Sequence, residues 1–334
     1  MRRFILLLIP LILSCGRNEL EIWYWFGEIH DYHFRQLLNR TWRKVNVSLI
    51  RKNFSSIQEM EESLKVRQPD LALVYPQTLK NLIKSGELEP LSDGEILPNY
   101  CGNYCWPMFK SVLGFYVNAD LAKEVGFPLN FKLSDLLNLN SNYIVLGVYP
   151  SATFYTGLMF KFLSEGYDTL ESCIKSYEFL KGLAHKPYVR IYPNPRYAEA
   201  DMVSLKIVVI VGTSAYKPYI EREGINLKFV PIINDRGENV YFLSGPDFVV
   251  FKGGNTKKAK EFIRVLDEIL KRDTLWERFG YFYVGRLKGL KNIFTDINWD
   301  VDRDGLRVLS ERALNPQDSL PQDSLKNLCR KSLK

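Results

Sequence analysis

Residues 69–86, which read PDLALVYPQTLKNLIKSG, contain the pattern that decides the fold. Pro69–Val74 ends in an unbroken apolar run, which is typical of a strand buried on both faces of a sheet. Thr78–Lys84 follows with helical spacing, and Gly86 is a residue type that commonly ends helices. A fully buried strand followed directly by a helix predicts one step of a mainly parallel α/β sheet.

The residues before this stretch show the same alternation of strand and helix. Leu20–Trp25 is rich in aromatic and β-branched residues and is ended by Gly27, which predicts a strand. Ser56 and Glu59 stand in the capping-box spacing that begins a helix. The elements predicted here are strands at Leu20–Trp25 and Val47–Ile50, and helices at His30–Val45 and from Ser55 or Ser56 to Lys65.

The second half of the chain repeats this pattern, and its end does not. Strands are predicted at Tyr143–Val148, Lys206–Val211, Leu227–Ile233 and Tyr241–Phe251, and helices at Phe154–Leu163, Leu170–Leu183 and Thr256–Lys271. The sequence PQDSL at residues 316–320 is repeated at residues 321–325. Such a short polar repeat near a terminus predicts a flexible tail over residues 316–334.

Length and composition indicate a folded protein of two domains. Without residues 1–14, 320 of the 334 residues remain, which is more than one hydrophobic core usually holds. The hydrophobic content of 46% suits a packed globular chain. The net charge of +7 is modest, and no Lys/Arg-rich run with interleaved aromatic residues is present, which argues against nucleic acid as a partner.

The N-terminus has the pattern of a bacterial lipoprotein signal. Arg2 and Arg3 precede the apolar run Phe4–Leu13, which is too short for the roughly 20 residues of a membrane-spanning helix. Ser14 and Cys15 fit a cleavage site at which the thiol of Cys15 is lipidated. Residues 1–14 are therefore predicted to be a lipoprotein signal peptide, and the mature protein to be exported and anchored by Cys15 at the periplasmic or extracellular face of a membrane. The alternative is an ordinary cleaved signal followed by a chance cysteine.

Four further cysteines would lie in an exported compartment, where disulfides form. They are Cys101, Cys105, Cys173 and Cys329. Cys101 and Cys105 are near enough for a local bridge if the chain turns between them. Four cysteines allow three complete pairings, and the sequence does not choose among them.

Several segments, taken in order, resemble extracellular solute-binding protein family 1, the maltose-binding-like receptors of ABC importers. The resemblance runs over most of residues 20–285. Its motifs lie at Leu20–Gly27, Pro69–Val74, Leu82–Leu91, Trp106–Pro107, Val112–Asn118, Ser244–Phe251, Lys257–Ile263 and Phe279–Tyr281. The chain departs from the family pattern at Ser244, where glycine is common, and at Leu205–Val209, where the family usually has Gly-Lys-Ala-Ala-Met.

The resemblance implies an α/β protein with the two-lobed periplasmic-binding-protein (Venus-flytrap) fold, type II. The N-terminal lobe would comprise residues 17–116 and 243–284, and the C-terminal lobe residues 117–242 and 285–315. It further implies a receptor that captures a small solute, a sugar or polyol, between the lobes by hinge closure and delivers it to ABC transporter permease subunits. No enzymatic step and no cofactor are implied.

The solute site is expected at loops that follow the carboxyl ends of strands. Aromatic rings suit the apolar faces of sugar rings, and carboxylates accept hydrogen bonds from hydroxyl groups. The predicted ligand-binding residues are Trp25, Glu28, Tyr75, Trp106, Tyr155, Tyr216, Ser244 and Asp247, with Phe26, Tyr104, Ser151 and Phe154 beside them. The alternative for each aromatic residue is packing in a core.

A separate motif near the C-terminus matches the EF-hand calcium loop. Asp300, Asp302 and Asp304 stand at positions one, three and five, Gly305 at six and Glu311 at twelve. These carboxylates predict a structural calcium site away from the solute. The alternative is a helix that begins near Asp304 and runs through Leu314, with acidic residues at its N-terminus.

Two other functions remain open from the sequence. The stretch Tyr188–Tyr197, with Arg190 and Arg196, is compatible with an anion or ferric-ion receptor. An exported glycan-acting enzyme is the alternative from a different class. Against it, the sequence contains no Gly-x-Ser-x-Gly and no His-Glu-x-x-His motif.

Overall fold

The computed structural model describes residues 18–91, 103–107, 109–141, 143–221, 224–274, 280–283, 293–295 and 301–333. The chain divides into two compact units. Unit 1 comprises residues 1–109, 245–274 and 283–286, and unit 2 comprises residues 110–244, 275–282 and 287–334. The first boundary between the units therefore lies between Phe109 and Lys110, and the boundary implied by the resemblance lies after Tyr116.

The elements within the described residues run as follows in chain order. The strands are β1 (Glu19–Tyr24), β2 (Ser48–Asn53), β3 (Leu71–Val74), β4 (Phe109–Asn118), β5 (Leu146–Val148), β6 (Val189–Ile191), β7 (Val209–Thr213), β8 (Leu227–Ile233), β9 (Asn239–Ser244), β10 (Asp247–Val250), β11 (Phe282–Tyr283) and β12 (Ile293–Thr295). The α-helices are α1 (Glu28–Val45), α2 (Ile57–Val66), α3 (Pro76–Ser85), α4 (Ala119–Glu124), α5 (Ala152–Ser164), α6 (Thr169–Ala184), α7 (Pro195–Val203), α8 (Lys217–Ile220), α9 (Thr256–Arg272), α10 (Arg303–Ala313) and α11 (Gln322–Ser332). Short 3₁₀ helices lie at Leu133–Leu137 and Ser214–Tyr216.

Unit 1 is built on a four-stranded sheet in the order β10–β3–β1–β2. β1 is parallel to β2 and β3, whereas β10 is antiparallel to β3. All four residues of β3 are buried, as its apolar run predicts. The hydroxyl of Ser56 accepts a hydrogen bond from the Glu59 amide at the start of α2. Gly86 ends α3 with φ of 71°, a conformation in which glycine has no side-chain clash.

Unit 2 is built on a larger sheet that contains β12–β9–β8–β4–β7–β5–β6 in this order. β5 is parallel to β6 and β7, and β4 is antiparallel to β7 and β8. α5 is apolar around most of its circumference, as is expected of a buried helix. Every residue from Phe154 to Phe162 is buried. The parallel strands β5, β6 and β7 all present their carboxyl ends at one edge of this sheet.

The C-terminal segment is part of the unit 2 core, so the prediction of a flexible tail over residues 316–334 is wrong. α11 packs on α6 and α10, with Leu325 and Cys329 buried. A disulfide joins Cys173 in α6 to Cys329 in α11. The repeat predicts a loose tail because its local sequence is polar, but the leucines and the cysteine spaced along it reach a distant hydrophobic core.

Some predictions fall outside the described residues. These are the signal peptide, the lipidation site Cys15, Cys101 and the first calcium ligand Asp300. Cys105 is disulfide-bonded. None of the helices in the described ranges has the length and apolarity needed to cross a membrane.

Candidate functional site

The carboxyl edge of the unit 1 sheet carries two aromatic side chains. Trp25 follows β1 and Tyr75 follows β3, and both are partly exposed. Their ring centroids lie 6.2 Å apart. The Trp25 indole N–H donates a 3.0 Å hydrogen bond to the carbonyl of Ser55, just beyond β2. The structure therefore brings together two residues that the sequence predicts for the site, and it fixes the orientation of Trp25.

The turn that carries Trp25 is braced from β2. Asn53 accepts a 3.0 Å hydrogen bond from the Phe26 amide and donates one of 3.1 Å to the Phe26 carbonyl. Phe26 itself is buried against Tyr24 and Phe34. Glu28 begins α1 and is exposed, so its carboxylate is accessible to a solute at this edge.

Two other predicted residues of unit 1 have structural contacts. The backbone of Trp106 pairs with Phe248 in β10, and its indole N–H donates a 3.2 Å hydrogen bond to Asp267 in α9. Asp247 is fully buried where β10 pairs with β3 opposite Val74. The prediction that Asp247 contacts ligand is corrected by this burial, because no part of its side chain is exposed.

The carboxyl edge of the unit 2 sheet carries a tyrosine after each of its three parallel strands. Tyr149 follows β5, Tyr192 follows β6, and Tyr216 ends the 3₁₀ turn after β7. The Tyr149 hydroxyl donates a 3.2 Å hydrogen bond to the carbonyl of Val211. The Tyr192 hydroxyl donates one of 2.9 Å to Asp201 in α7. Tyr216 remains partly exposed, which leaves it accessible.

Gly212 allows the rings of Tyr216 and of Tyr116, a residue of β4, to approach the end of β7. A β-carbon at Gly212 would lie 2.9 Å from the Tyr216 ring and 3.4 Å from the Tyr116 ring. The Tyr116 hydroxyl donates to the carbonyl of Ser214 at 2.6 Å. Tyr116, Tyr149 and Tyr216, together with Tyr219 in α8, are hereafter called the tyrosine cluster.

The tyrosine cluster stays uncharged and has a carboxylate nearby. Burial raises the pKa of Tyr116, Tyr149, Tyr216 and Tyr219, and the negative charge of Glu199 raises each of them further. Burial also raises the pKa of the Glu199 carboxyl. Tyr216 and Tyr219 are partly exposed and offer neutral phenol groups and ring surfaces, which can hydrogen-bond to and stack on a polyhydroxylated molecule, whereas Tyr116 and Tyr149 are buried.

Glu199 and three members of the cluster, Tyr116, Tyr149 and Tyr219, are not among the residues predicted from the sequence. Tyr149 directly follows the predicted strand Tyr143–Val148, so the rule used for the other residues identifies it. Tyr116 reaches the edge from the antiparallel strand β4, and Glu199 from the helix α7. No short sequence pattern reports such placements, because they depend on how distant elements pack.

The structure assigns other roles to the predicted residues at the start of α5. Tyr155 is fully buried, and its hydroxyl donates a 2.7 Å hydrogen bond to the Cys173 carbonyl. Phe154 is buried as well, and Ser151 caps α5 by accepting from the Phe154 amide. The prediction that Tyr155 contacts ligand is therefore corrected: one helical turn inside α5, its ring points into the unit 2 core. Ser244 is partly exposed, and its carbonyl accepts a 3.0 Å hydrogen bond from Ser111.

Comparison with known proteins identifies the fold. No protein-family model and no curated protein matches the sequence. The GacH receptor of Streptomyces glaucescens, solved unliganded and with acarbose, matches 94% of this chain and 98% of its own, with a TM-score of 0.75 and 12% identity. Apo RafE of Streptococcus pneumoniae matches 96% of this chain and 98% of its own, with a TM-score of 0.71 and 12% identity. The spermidine/putrescine substrate-binding protein PotD of Streptococcus pneumoniae matches 89% and 99%, with a TM-score of 0.67 and 17% identity.

This chain has the solute-binding-protein fold. The α/β, two-lobed fold class predicted from the sequence is thereby confirmed. At these identities the likeness shows the fold alone.

The tyrosine-rich stretch behind the anion or ferric-ion alternative does not form one site. The Tyr188 hydroxyl is buried and donates to the Leu136 carbonyl at 2.9 Å. Arg190 pairs with Asp201 at 2.9 Å, and Tyr192 donates to the same carboxylate. Burial and the hydrogen bond to Asp201 raise the pKa of Tyr192 to about 12, which disfavours the phenolate that would bind iron.

The predicted calcium loop is the start of a helix in this structure. Asp302 caps α10 by accepting a 3.0 Å hydrogen bond from the Asp304 amide. Asp304, Gly305 and Glu311 all lie within α10, and Glu311 pairs with Arg307 one turn earlier. An EF-hand loop wraps its first nine residues around the ion, which a helix from Arg303 onward prevents. The alternative of a helix with an acidic start is therefore confirmed, and residues 303–311 do not take the conformation of an EF-hand loop.

Proposed function

We propose that this protein is the solute-binding receptor of an ABC importer, lipid-anchored through Cys15, and that it binds a sugar or polyol. The observation that carries this proposal is the aromatic lining of the carboxyl edges in both units. Trp25 and Tyr75 lie at this edge in unit 1, and the tyrosine cluster lies at it in unit 2. In α/β folds these edges are where ligands bind.

The kind of solute follows from the side chains at these edges. Partly exposed rings provide apolar surfaces for the faces of a sugar ring, and the phenol groups and Glu199 provide polar partners for its hydroxyls. GacH has been solved in complex with acarbose and RafE in complex with raffinose, which supports a carbohydrate here as well.

The proposed receptor acts by binding and catalyses no reaction. Binding a solute shifts a conformational equilibrium by the difference in its affinity for the two states, and this requires no covalent chemistry. Hinge closure of two lobes around the solute is the movement that the sequence resemblance implies, and it stays a prediction. Permease subunits are the proposed partners.

A thermal-shift screen of the protein lacking residues 1–14, with Cys15 replaced by serine, tests the proposal. Any solute that binds only the folded state must raise the melting temperature, by an amount that grows with its concentration above Kd. We expect a sugar or polyol to raise it, whereas inorganic phosphate and Fe³⁺ should not. A rise in melting temperature with phosphate or Fe³⁺ alone would contradict the sugar receptor and favour the anion or ferric-ion receptor.

The anchor is tested separately by expressing the full chain with Cys15→Ser. The wild-type protein should stay with membranes through a carbonate wash, and the variant should be found in the soluble fraction. A variant that stays membrane-bound would show that the N-terminus is not a lipoprotein anchor. Tyr32→Ala serves as the control, because it changes an exposed side chain and leaves every cysteine in place.

A further inference from the structure

Glu199 lies at the carboxyl edge of unit 2 with its carboxyl group only partly covered. It belongs to α7, whose Ala198 and Met202 are fully buried against Tyr116, Tyr149 and Tyr192. α7 also packs on β5, β7 and α8. Glu199 is therefore held on a helix that is anchored beside the tyrosine cluster, and it remains reachable from solvent.

The Glu199 carboxylate lies within electrostatic range of every ring of the tyrosine cluster. Its negative charge raises the pKa of all four phenols, after burial as the main cause. Within the ranges that the structure describes, no side chain forms a hydrogen bond or an ion pair with this carboxylate. Burial accordingly raises its pKa, since the charged form loses water without gaining a contact partner.

The other carboxylates near Glu199 are paired with cations, and one further cation lies near Glu199 itself. Arg196, one turn earlier in α7, lowers the Glu199 pKa through its charge without a contact. Asp201 pairs with Arg190 and Lys206, and Glu221 lies 3.9 Å from Lys217. Among the described residues named here, Glu199 is thus the carboxylate without a cation in contact with it.

An ammonium group satisfies this environment better than a hydroxyl group does. It gains the Coulomb attraction of the carboxylate and the attraction of phenol rings for a cation. We propose that Glu199 and the partly exposed rings of Tyr216 and Tyr219 form a subsite for an ammonium group, so that the solute is an amino sugar or an amino polyol. This inference rests on the proposed function and narrows its substrate class.

Paired solutes that differ only in the amino group test the proposal. The pairs are glucose with glucosamine, galactose with galactosamine, and sorbitol with glucamine (1-amino-1-deoxysorbitol), each titrated calorimetrically at neutral pH. We expect at least one amino compound to bind about tenfold or more tightly than its parent, the effect of one charge-assisted hydrogen bond. Glu199→Gln should remove that preference, so that the amino compound and its parent bind with affinities within about twofold of each other.

Glu221→Gln is the matched control, because it removes the same charge from an exposed position near the cluster. It should leave the preference for the amino compound intact. Glu199→Asp keeps the charge on a shorter side chain and should keep part of the preference. Melting temperatures without solute establish that each variant is folded, and Glu199→Asp also provides the comparison if Glu199→Gln does not fold.

The outcomes distinguish failure of the ammonium subsite from failure of the proposed sugar receptor. If a parent sugar or polyol binds and no amino compound is preferred, the ammonium subsite is wrong and the sugar receptor stands. A preference that persists in Glu199→Gln also overturns the assignment to Glu199. If putrescine binds more tightly than glucosamine, galactosamine and glucamine, the proposal that the solute carries several hydroxyl groups is wrong. If none of the sugars, polyols or amino compounds binds, both proposals fall.

Discussion

Tyr155 and Tyr216 differ in what their side chains can do, although both follow strands in unit 2. The Tyr155 ring is enclosed by the core, and its hydroxyl donates a 2.7 Å hydrogen bond to the Cys173 carbonyl. Burial raises the pKa of Tyr155 well above its ordinary value. Tyr216 lies over Gly212 and keeps part of its ring exposed. The first residue therefore stabilises unit 2, and the second is available to a solute.

Replacing Tyr155 with phenylalanine should lower stability without changing solute affinity. Tyr155→Phe keeps the ring and removes one buried hydrogen bond, which costs roughly 1 kcal/mol of unfolding free energy. Urea unfolding measures the loss, and calorimetric titration with the solute found by screening measures affinity. Tyr216→Phe is the control, and should retain stability while weakening binding. A loss of affinity in Tyr155→Phe at an unchanged urea midpoint would restore Tyr155 to the site.

Elements whose signals are local could be predicted from the sequence. The buried strand β3, the Ser56 cap of α2 and the Gly86 end of α3 each depend on a few neighbouring residues, and the structure shows all three. The same holds for Trp25 and Tyr75, because each directly follows a predicted strand.

Features that depend on distant contacts were either predicted wrongly or not predicted at all. The repeat at residues 316–325 has one sequence and two structures. Its first copy, up to Leu320, is not helical, whereas the second begins α11. Asp318 in the first copy is bound by Arg312, and Leu325 in the second enters the core. Neither contact is encoded within the five repeated residues, and Glu199 was missed for the same reason.

The disulfide between α6 and α11 should contribute strongly to the stability of unit 2. It joins cysteines 156 positions apart, so breaking it releases a long loop in the unfolded chain. We expect Cys329→Ser to cost about 2–5 kcal/mol. Cys173→Ser and the double variant should cost nearly the same, because all three remove one bond. If the two single costs instead add up in the double variant, the losses come from packing at each site and not from the cross-link.

The first repeat copy should make stability depend on pH. Arg312 donates to both carboxylate oxygens of Asp318, at 2.8 and 3.2 Å, and lowers the pKa of that carboxyl. A lowered folded pKa adds stability above the unfolded value of about 3.9, and this stability is lost as the pH falls through the folded pKa.

Asp318→Asn should therefore cost about 0.5–1 kcal/mol at pH 7 and progressively less as the pH falls below about 4. Urea midpoints across this pH range provide the measurement. Asp323→Asn is the matched control, because Asp323 occupies the same position in the second repeat copy. A cost for Asp318→Asn that stays constant down to pH 2 would show that the ion pair is not its origin.

At the scale of the whole molecule, each unit has its own sheet and an aromatic carboxyl edge. The chain passes between the two units more than once. Residues 245–274 belong to unit 1, although they follow residues 110–244 of unit 2. Neither unit is therefore a continuous segment that can be cut out and tested alone. The role of each edge has to be measured in the full protein.

If one solute contacts both units, as the sequence resemblance implies, then substitutions in either unit should weaken its binding. Trp25→Ala and Tyr216→Ala each remove one partly exposed ring, and aromatic contacts are worth about 0.5–1.5 kcal/mol beyond the area they bury. With the buried area included, each variant should bind the screened solute about tenfold more weakly or worse, at a melting temperature close to that of the wild type without solute. Tyr32→Ala, which removes an exposed ring of α1, should change neither quantity. Loss of affinity in only one of the two variants would confine the solute to that unit, and would exclude capture by both.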